Sequence, residues 1–270
     1  MEGKVTRMPL TIDPPVKLDT DLTGRVALVT GASSGLGWRF GQVLAACGAK
    51  VAIAARRTDK LEELAEIIAK AGGTVLPVEL DVSDVEAGPP VFDRIEAELG
   101  PVDILVNNAG VNAAGWASRM SLEQIDTGID TNFRGPWVLS AEFAKRHIAR
   151  KGEAGWIVNV ASIGAFFYSG VIAGSLYAVT KSAMVRMTEV LAKEWAPYHI
   201  NVNCIAPGTI ASEMVQGMID RRGTDFIDAF PRKRLGYPDD LDSTLLFLVS
   251  PSSRFVTGTV IKADDGQLPR

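Results

Sequence analysis

Three side chains in the middle of the chain carry groups able to move a proton: Ser162, Tyr177 and Lys181. Tyr177 and Lys181 stand four residues apart in Tyr177-Ala-Val-Thr-Lys181, so on a helix they share one face. A free phenol titrates at about pH 10 and is almost wholly protonated at neutral pH. An ammonium beside it favours the phenolate and draws that pKa toward the working range. A tyrosine so placed takes a proton from an alcohol or gives one to a carbonyl, and a serine hydroxyl alongside polarises the same oxygen. Taken alone, a tyrosine and a lysine on one face of an amphipathic helix are also a frequent coincidence.

The elements around them give the trio a context. Ser162 directly follows an apolar, β-rich run, Trp156–Val160, and Tyr177 opens a long helical pattern to Ala196. Further β-rich runs lie at Val26–Val29, Val51–Ala54, Val75–Val78, Ile104–Val106, Asn201–Ile205 and Thr259–Ile261. Helical patterns fall between them, near Leu61–Ala71, Pro90–Leu99, Ser121–Arg150 and Asp239–Leu248. Strands alternating with helices predict an α/β fold of the Rossmann type: one doubly wound parallel sheet of about seven strands, helices on both faces. No break in composition divides residues 21–270, so they are expected to form a single domain. Residues 1–20, with Pro14-Pro15 and scattered charges, read as an extended N-terminal arm without the apolar core of a secretory signal.

The first strand runs into Thr30-Gly-Ala-Ser-Ser-Gly-Leu-Gly37 and then a helical pattern ending at Gly48. A strand, a glycine turn and a helix N-terminus make an anion site, because bare backbone approaches a pyrophosphate and the helix dipole favours its charge. After the second strand, an acid in such folds would accept from the adenosine ribose, whereas an arginine suits a 2′-phosphate. Here Ala55 takes the acid's place and Arg56 and Arg57 follow, which favours NADP(H) over NAD(H). Asp81 and Val82 close the third strand, and Asn107-Asn-Ala-Gly110 the fourth, at the edge where open sheets bind ligands.

Composition narrows the classes. Of 270 residues, 47% are apolar and 22% charged, enough to bury a large core. A net charge of −4 argues against a nucleic-acid or anionic-membrane surface, and no run of eighteen apolar residues spans a bilayer. Cys47 and Cys204 show no metal-ligand spacing, and His147 and His199 read as ordinary histidines, so no metal site is expected. Two isolated cysteines suit a reducing, cytoplasmic setting.

Together, Thr30-Gly-x-x-x-Gly-x-Gly37, Asn107-Asn-Ala-Gly110, Ser162 and Tyr177-x-x-x-Lys181 resemble the short-chain dehydrogenase/reductase family, over Asp21 to about Gln267. The resemblance is nearest, in a general way, to 3-oxoacyl-carrier-protein reductases and ketone reductases. It implies Tyr177 as general acid/base, Lys181 lowering its pKa and holding the nicotinamide ribose, and Ser162 steadying the reacting oxygen. Asn132, in Asp130-Thr-Asn-Phe133, completes the family's tetrad by supporting a water and proton relay. By the same resemblance Gly31, Ser33, Ser34, Gly35, Leu36 and Gly37 cradle the pyrophosphate, and Asp81 and Val82 face the adenine. Asn108, Ala109 and Gly110 also contact the cofactor, while Pro207, Gly208, Ile210 and Ser212 hold the nicotinamide carboxamide. Members commonly assemble through their long central helices, which implies a homo-oligomer, a tetramer or dimer.

The implied function is hydride transfer between NADP(H) and a small-molecule carbonyl or secondary alcohol. The alternatives are an NAD-linked alcohol or sugar dehydrogenase of the same family, or a dinucleotide-binding sensor without turnover. Substrate choice is expected to rest on Val111–Met120, Ile163–Leu176 and Thr209–Gly236, with Trp116, Phe166, Phe167, Met214 and Met218 lining an apolar pocket. Residues 209–236 read as a lid, its Arg221, Arg222, Arg232, Lys233 and Arg234 either forming a solvated surface, the plainer reading, or meeting an acidic substrate or carrier. Ser169 or Ser175 stands as a less well placed substitute for Ser162. Lys262-Ala-Asp-Asp-Gly266 departs from the family's usual Asp-Gly-Gly.

Overall fold

The computed structural model describes residues 20–170 and 173–269. The predicted arm, apart from Thr20, lies outside them, as do Val171 and Ile172 of the substrate-side segment and the side chains of Met218, Arg221 and Arg222.

Seven strands form one sheet in the order β3-β2-β1-β4-β5-β6-β7, every neighbouring pair parallel. They are β1 (Val26–Thr30), β2 (Lys50–Ala55), β3 (Thr74–Glu79), β4 (Ile104–Asn107), β5 (Gly155–Val160), β6 (Ile200–Pro207) and β7 (Val260–Ala263). The two-residue alternation of a strand explains why the central ones are apolar throughout. In β1, Ala27 and Val29 enter one core layer, with Phe40, Leu44 and Leu64. Val26 and Leu28 enter the other, with Phe92, Phe143 and Leu191. Helices α1 (Gly35–Ala46), α2 (Thr58–Lys70) and α9 (Asp242–Val249) cover the first face. Helices α3 (Gly88–Glu98), α5 (Gly135–Ala149) and α6 (Ser175–Trp195) cover the second.

Between β4 and β5 the sequence pattern predicts one continuous helix over 121–150. The structure divides it into α4 (Leu122–Ile129), a π-helical turn (Asp130–Arg134) and α5. The Gly135 N–H bonds back to Asp130, five residues away, and Pro136 has no N–H to offer the Asn132 carbonyl four residues before it. The predicted lid holds α7 (Glu213–Arg222) and α8 (Asp225–Asp228), and its two ends meet in a parallel bridge between Ile210 and Gly236. Among the described residues no helix is long and apolar enough to cross a membrane.

Candidate active site

The strand order turns back between β1 and β4, which is where an open parallel sheet holds its ligand. A cleft of about 1110 Å³ opens there, beyond the carboxyl ends of the strands. Every residue predicted to contact cofactor or substrate oxygen lines it except Gly37 and Asn132, which stand behind its wall.

The glycine turn is fixed from below by Thr30. Its hydroxyl donates to the Val106 carbonyl and accepts the backbone N–H groups of Asn108 and Ala109 at 3.1 Å each. The Asn108 amide donates to the carbonyls of Thr30 and Gly31, tying the β4 edge to the turn. Gly31 needs the left-handed φ of +66°, and a Cβ there would come within 2.7 Å of the Ala109 backbone. A Cβ on Gly37 would overlap the Gly31 carbonyl and the Asn108 amide. The turn therefore admits only bare backbone, the feature a pyrophosphate cradle requires. Asn107 turns away into the core, donating to Ser140 and Asn159 at 2.9 Å each, and lines no ligand space.

One end of the cleft is charged. Arg56 reaches Asp81 at 3.5 Å. Burial pushes the Asp81 carboxyl upward, but hydrogen bonds from Ser83 and the charge of Arg56 outweigh it and hold that group below the usual carboxylate range. Arg57 donates Nε and Nη2 to Ser33 Oγ at 3.1 Å, and its Nη1 lies 3.1 Å from Glu213 on the lid.

The other end holds the proton-carrying groups. Ser162 follows β5 by one residue, and its hydroxyl accepts the Gly164 N–H at 3.1 Å. Tyr177 and Lys181 project from the first turns of α6, and Lys181 Nζ lies 5.7 Å from the Tyr177 ring centre. The lysine is buried and donates to the Val160 carbonyl at 2.8 Å. Burial lowers its pKa to about 8, against a smaller opposing effect from the neighbouring Cys204 thiol. Burial raises Tyr177, and a hydrogen bond with Ser162 opposes that rise. The sequence predicts a tyrosine already lowered by the ammonium. In the protein alone burial prevails at Tyr177, and the ammonium that stands over its ring is itself disfavoured by burial.

Asn132, at the centre of the π-turn, has its side chain committed to structure: Oδ1 accepts the Val111 N–H at 2.8 Å and Nδ2 donates to the Val111 carbonyl at 3.0 Å. Any relay must therefore use its backbone carbonyl, the one Pro136 leaves without its ordinary α-helical donor. Ser212 likewise caps α7 by accepting the Val215 N–H at 3.3 Å.

On the substrate side Phe167, Tyr168, Ser169, Met214 and Phe230 line the cleft. Trp116 and Phe166 do not. Trp116 sits exposed on a loop, and Phe166 lies under the Lys262 ammonium, 4.2 Å from its ring centre. The basic stretch is also less free than predicted, since Arg232 and Arg234 pair with Asp265, and Arg234 with Asp240 as well. Asp265 takes a φ of +52°, which explains why a glycine is usual at that place.

Thr30, which fixes the glycine turn from below, and Glu213 and Gln267, which line the cleft, are functional positions to which the sequence alone assigns no role. Thr30 had a local signal, its place before the glycine turn. Gln267 had none: its side-chain carbonyl accepts the Thr209 N–H at 2.8 Å and packs against Gly208, holding the predicted carboxamide loop.

Known proteins resemble this chain over most of its length. The family model described as enoyl-(acyl carrier protein) reductase matches residues 31–267. The 2-dehydro-3-deoxy-D-gluconate 5-dehydrogenase of Escherichia coli (strain K12) is 35% identical over 92% of this chain and 97% of its own. A solved short-chain type dehydrogenase/reductase from Mycobacterium marinum superposes with a TM-score of 0.89 at 34% identity, covering 93% of this chain and 98% of that one. An Agrobacterium tumefaciens chain solved with bound NADP gives 0.84 at 35% identity, over 94% and 100%.

Proposed function

Because the chain belongs to the short-chain dehydrogenase/reductase family, we propose that it moves hydride between NADP(H) and an uncharged carbonyl or secondary alcohol. The observation that carries this reading is one cleft with a glycine cradle and two arginines at one end and Ser162, Tyr177 and Lys181 at the other. The cradle would hold the pyrophosphate, Arg56 and Arg57 the 2′-phosphate, and the loop 207–212 the carboxamide. The bound nicotinamide supplies or accepts the hydride.

In reduction, Tyr177 gives its phenolic proton to the carbonyl oxygen, and Ser162 donates a hydrogen bond to that same oxygen. The Lys181 ammonium stabilises the phenolate left behind and would hold the nicotinamide ribose. The Asn132 carbonyl would hold the water through which the lysine is reprotonated. Oxidation runs the same proton path in reverse. Among the described side chains, the charged groups of the cleft other than Lys181 are Arg56, Arg57, Asp81 and Glu213, all away from the catalytic trio. The aromatic and aliphatic wall beside Tyr177 therefore supports a moderately apolar, uncharged substrate over a sugar acid. We place the protein in the cytoplasm as a homo-oligomer, in keeping with its two unpaired cysteines and the exposed apolar Leu122 and Trp137 on α4 and α5.

A second reading, an NAD-linked alcohol or sugar dehydrogenase, is favoured by one fact: both arginines already face a carboxylate. The test is NADPH and NADH oxidation against ketones, β-keto esters, quinones and sugars, with Tyr177→Phe and Arg56→Asp alongside. Turnover with NADPH, lost in the first variant and shifted toward NADH in the second, is the expected result. Turnover surviving in Tyr177→Phe defeats the mechanism, and tight cofactor binding without turnover on any member points to a sensor.

A further inference from the structure

We infer that Glu213, the first residue of the lid helix α7, tempers the preference for NADP by competing with its 2′-phosphate for Arg57. The inference rests on the reading that Arg57 faces the adenosine ribose. All three nitrogens of the Arg57 guanidinium have partners in the unliganded chain: Nε and Nη2 donate to Ser33 Oγ, and Nη1 to the two Glu213 oxygens at 3.3 and 3.1 Å. Ser33, Arg57 and Glu213 line one stretch of the cleft and come from three separate places, the glycine turn, the end of β2 and the lid. The two banks lie close there: a Cβ added at Gly35 would come within 3.6 Å of the Ser212 side chain.

A 2′-phosphate bound by Arg57 accepts from the same N–H groups that Ser33 and Glu213 now hold. It would bring close to two negative charges beside the Glu213 carboxylate. Two penalties follow, one for displacing the carboxylate from its guanidinium and one for like-charge repulsion. A ribose hydroxyl meets neither, so NAD leaves the Arg57–Glu213 pair closed. The acid on the lid thus narrows the advantage that the arginines give to NADP, and only NADP frees the first turn of the lid from β2.

The test measures dissociation constants of NADP⁺ and NAD⁺ by titration calorimetry for the full chain, Glu213→Gln, Arg57→Ala and the double variant. Glutamine matches the shape of this exposed side chain, so folding is preserved. The expected result is NADP⁺ binding tightened roughly two- to five-fold, the range of an exposed ion pair. NAD⁺ should be unchanged, and the gain should be smaller in the Arg57→Ala background. Equal weakening of both cofactors by Glu213→Gln would mean that the pair is a clasp over either dinucleotide, and would overturn the inference. So would no change in either. If Arg57→Ala leaves the NADP⁺/NAD⁺ ratio untouched, the placing of Arg57 at the 2′ position fails and takes the inference with it. If that ratio falls while Glu213→Gln is silent, only the inference fails.

Discussion

Replacing Lys181 with methionine separates the lysine's part in chemistry from its effect on the fold. Its ammonium is 4% exposed, and burial brings its pKa from 10.5 to about 8. That displacement corresponds to about 3 kcal/mol against the charged form in the folded protein. At pH 7 the lysine is charged folded and unfolded, so the wild type bears the whole penalty. Above pH 8 the folded protein releases its proton first, and the unfolded chain then binds more protons. Stability therefore rises with pH until both states are neutral beyond about 10.5. Methionine removes the charge but leaves the Val160 carbonyl without its 2.8 Å donor, a loss of about 1 kcal/mol. Lys181→Met should then be more stable than the wild type at pH 7, by roughly 2 kcal/mol. Its turnover should fall by about two orders of magnitude or more. Urea unfolding of both proteins at pH 7 and pH 10 reads the difference, which should shrink or reverse at the higher pH. Cys204, whose thiol burial pushes up to about 11, and Tyr177, which burial also raises, both remain in the variant. A variant less stable than the wild type at pH 7 would refute the reasoning, because the site would then be stabilising the ammonium rather than tolerating it.

Two further perturbations address the frame of the cleft. Gly37→Ala places a methyl against the Gly31 carbonyl and the Asn108 amide, so dinucleotide affinity should drop at least about ten-fold, with a melting temperature lower by several degrees. Fluorescence titration and calorimetry report the two effects, and an alanine variant that binds normally would show that the turn has room to spare. Asp265→Gly removes the carboxylate shared by Arg232 and Arg234, leaving Arg234 its contact with Asp240, while relieving a side chain from left-handed backbone. These opposed effects should leave global stability within about 1 kcal/mol, yet speed limited proteolysis inside 209–236 several-fold. Cleavage at the wild-type rate would mean that the arginines do not hold the lid.

The sheet was legible because its central strands are buried on both faces. Each reads as a short apolar run, and β1, β4 and β5 extend the predicted runs by a residue at most. The meeting of Tyr177 and Lys181 in one cleft was legible because residues four apart share a face of a helix. The π-turn at Asp130–Arg134 was not, although its extra residue shifts the helical phase by about 100° and Gly135-Pro136 follows it. Phe166 and Trp116 were misplaced for another reason. An aromatic in a loop gives no indication of which side of the loop it faces, and Phe166 faces Lys262. Glu213 and Gln267 reach partners 156 and 58 residues away, and no local pattern encodes such a meeting.

The grip of Gln267 on Thr209 has a consequence for how the protein is made. The loop at 207–212 leaves the ribosome well before the residue that fastens it, and β7, which flanks β6, emerges only just ahead of Gln267. A nascent chain can assemble β1 to β5 and the glycine cradle, yet the far wall of its cleft stays unfastened until position 267 clears the exit tunnel. The fastening of that loop is thus acquired separately from the glycine cradle and from the grouping of Ser162, Tyr177 and Lys181.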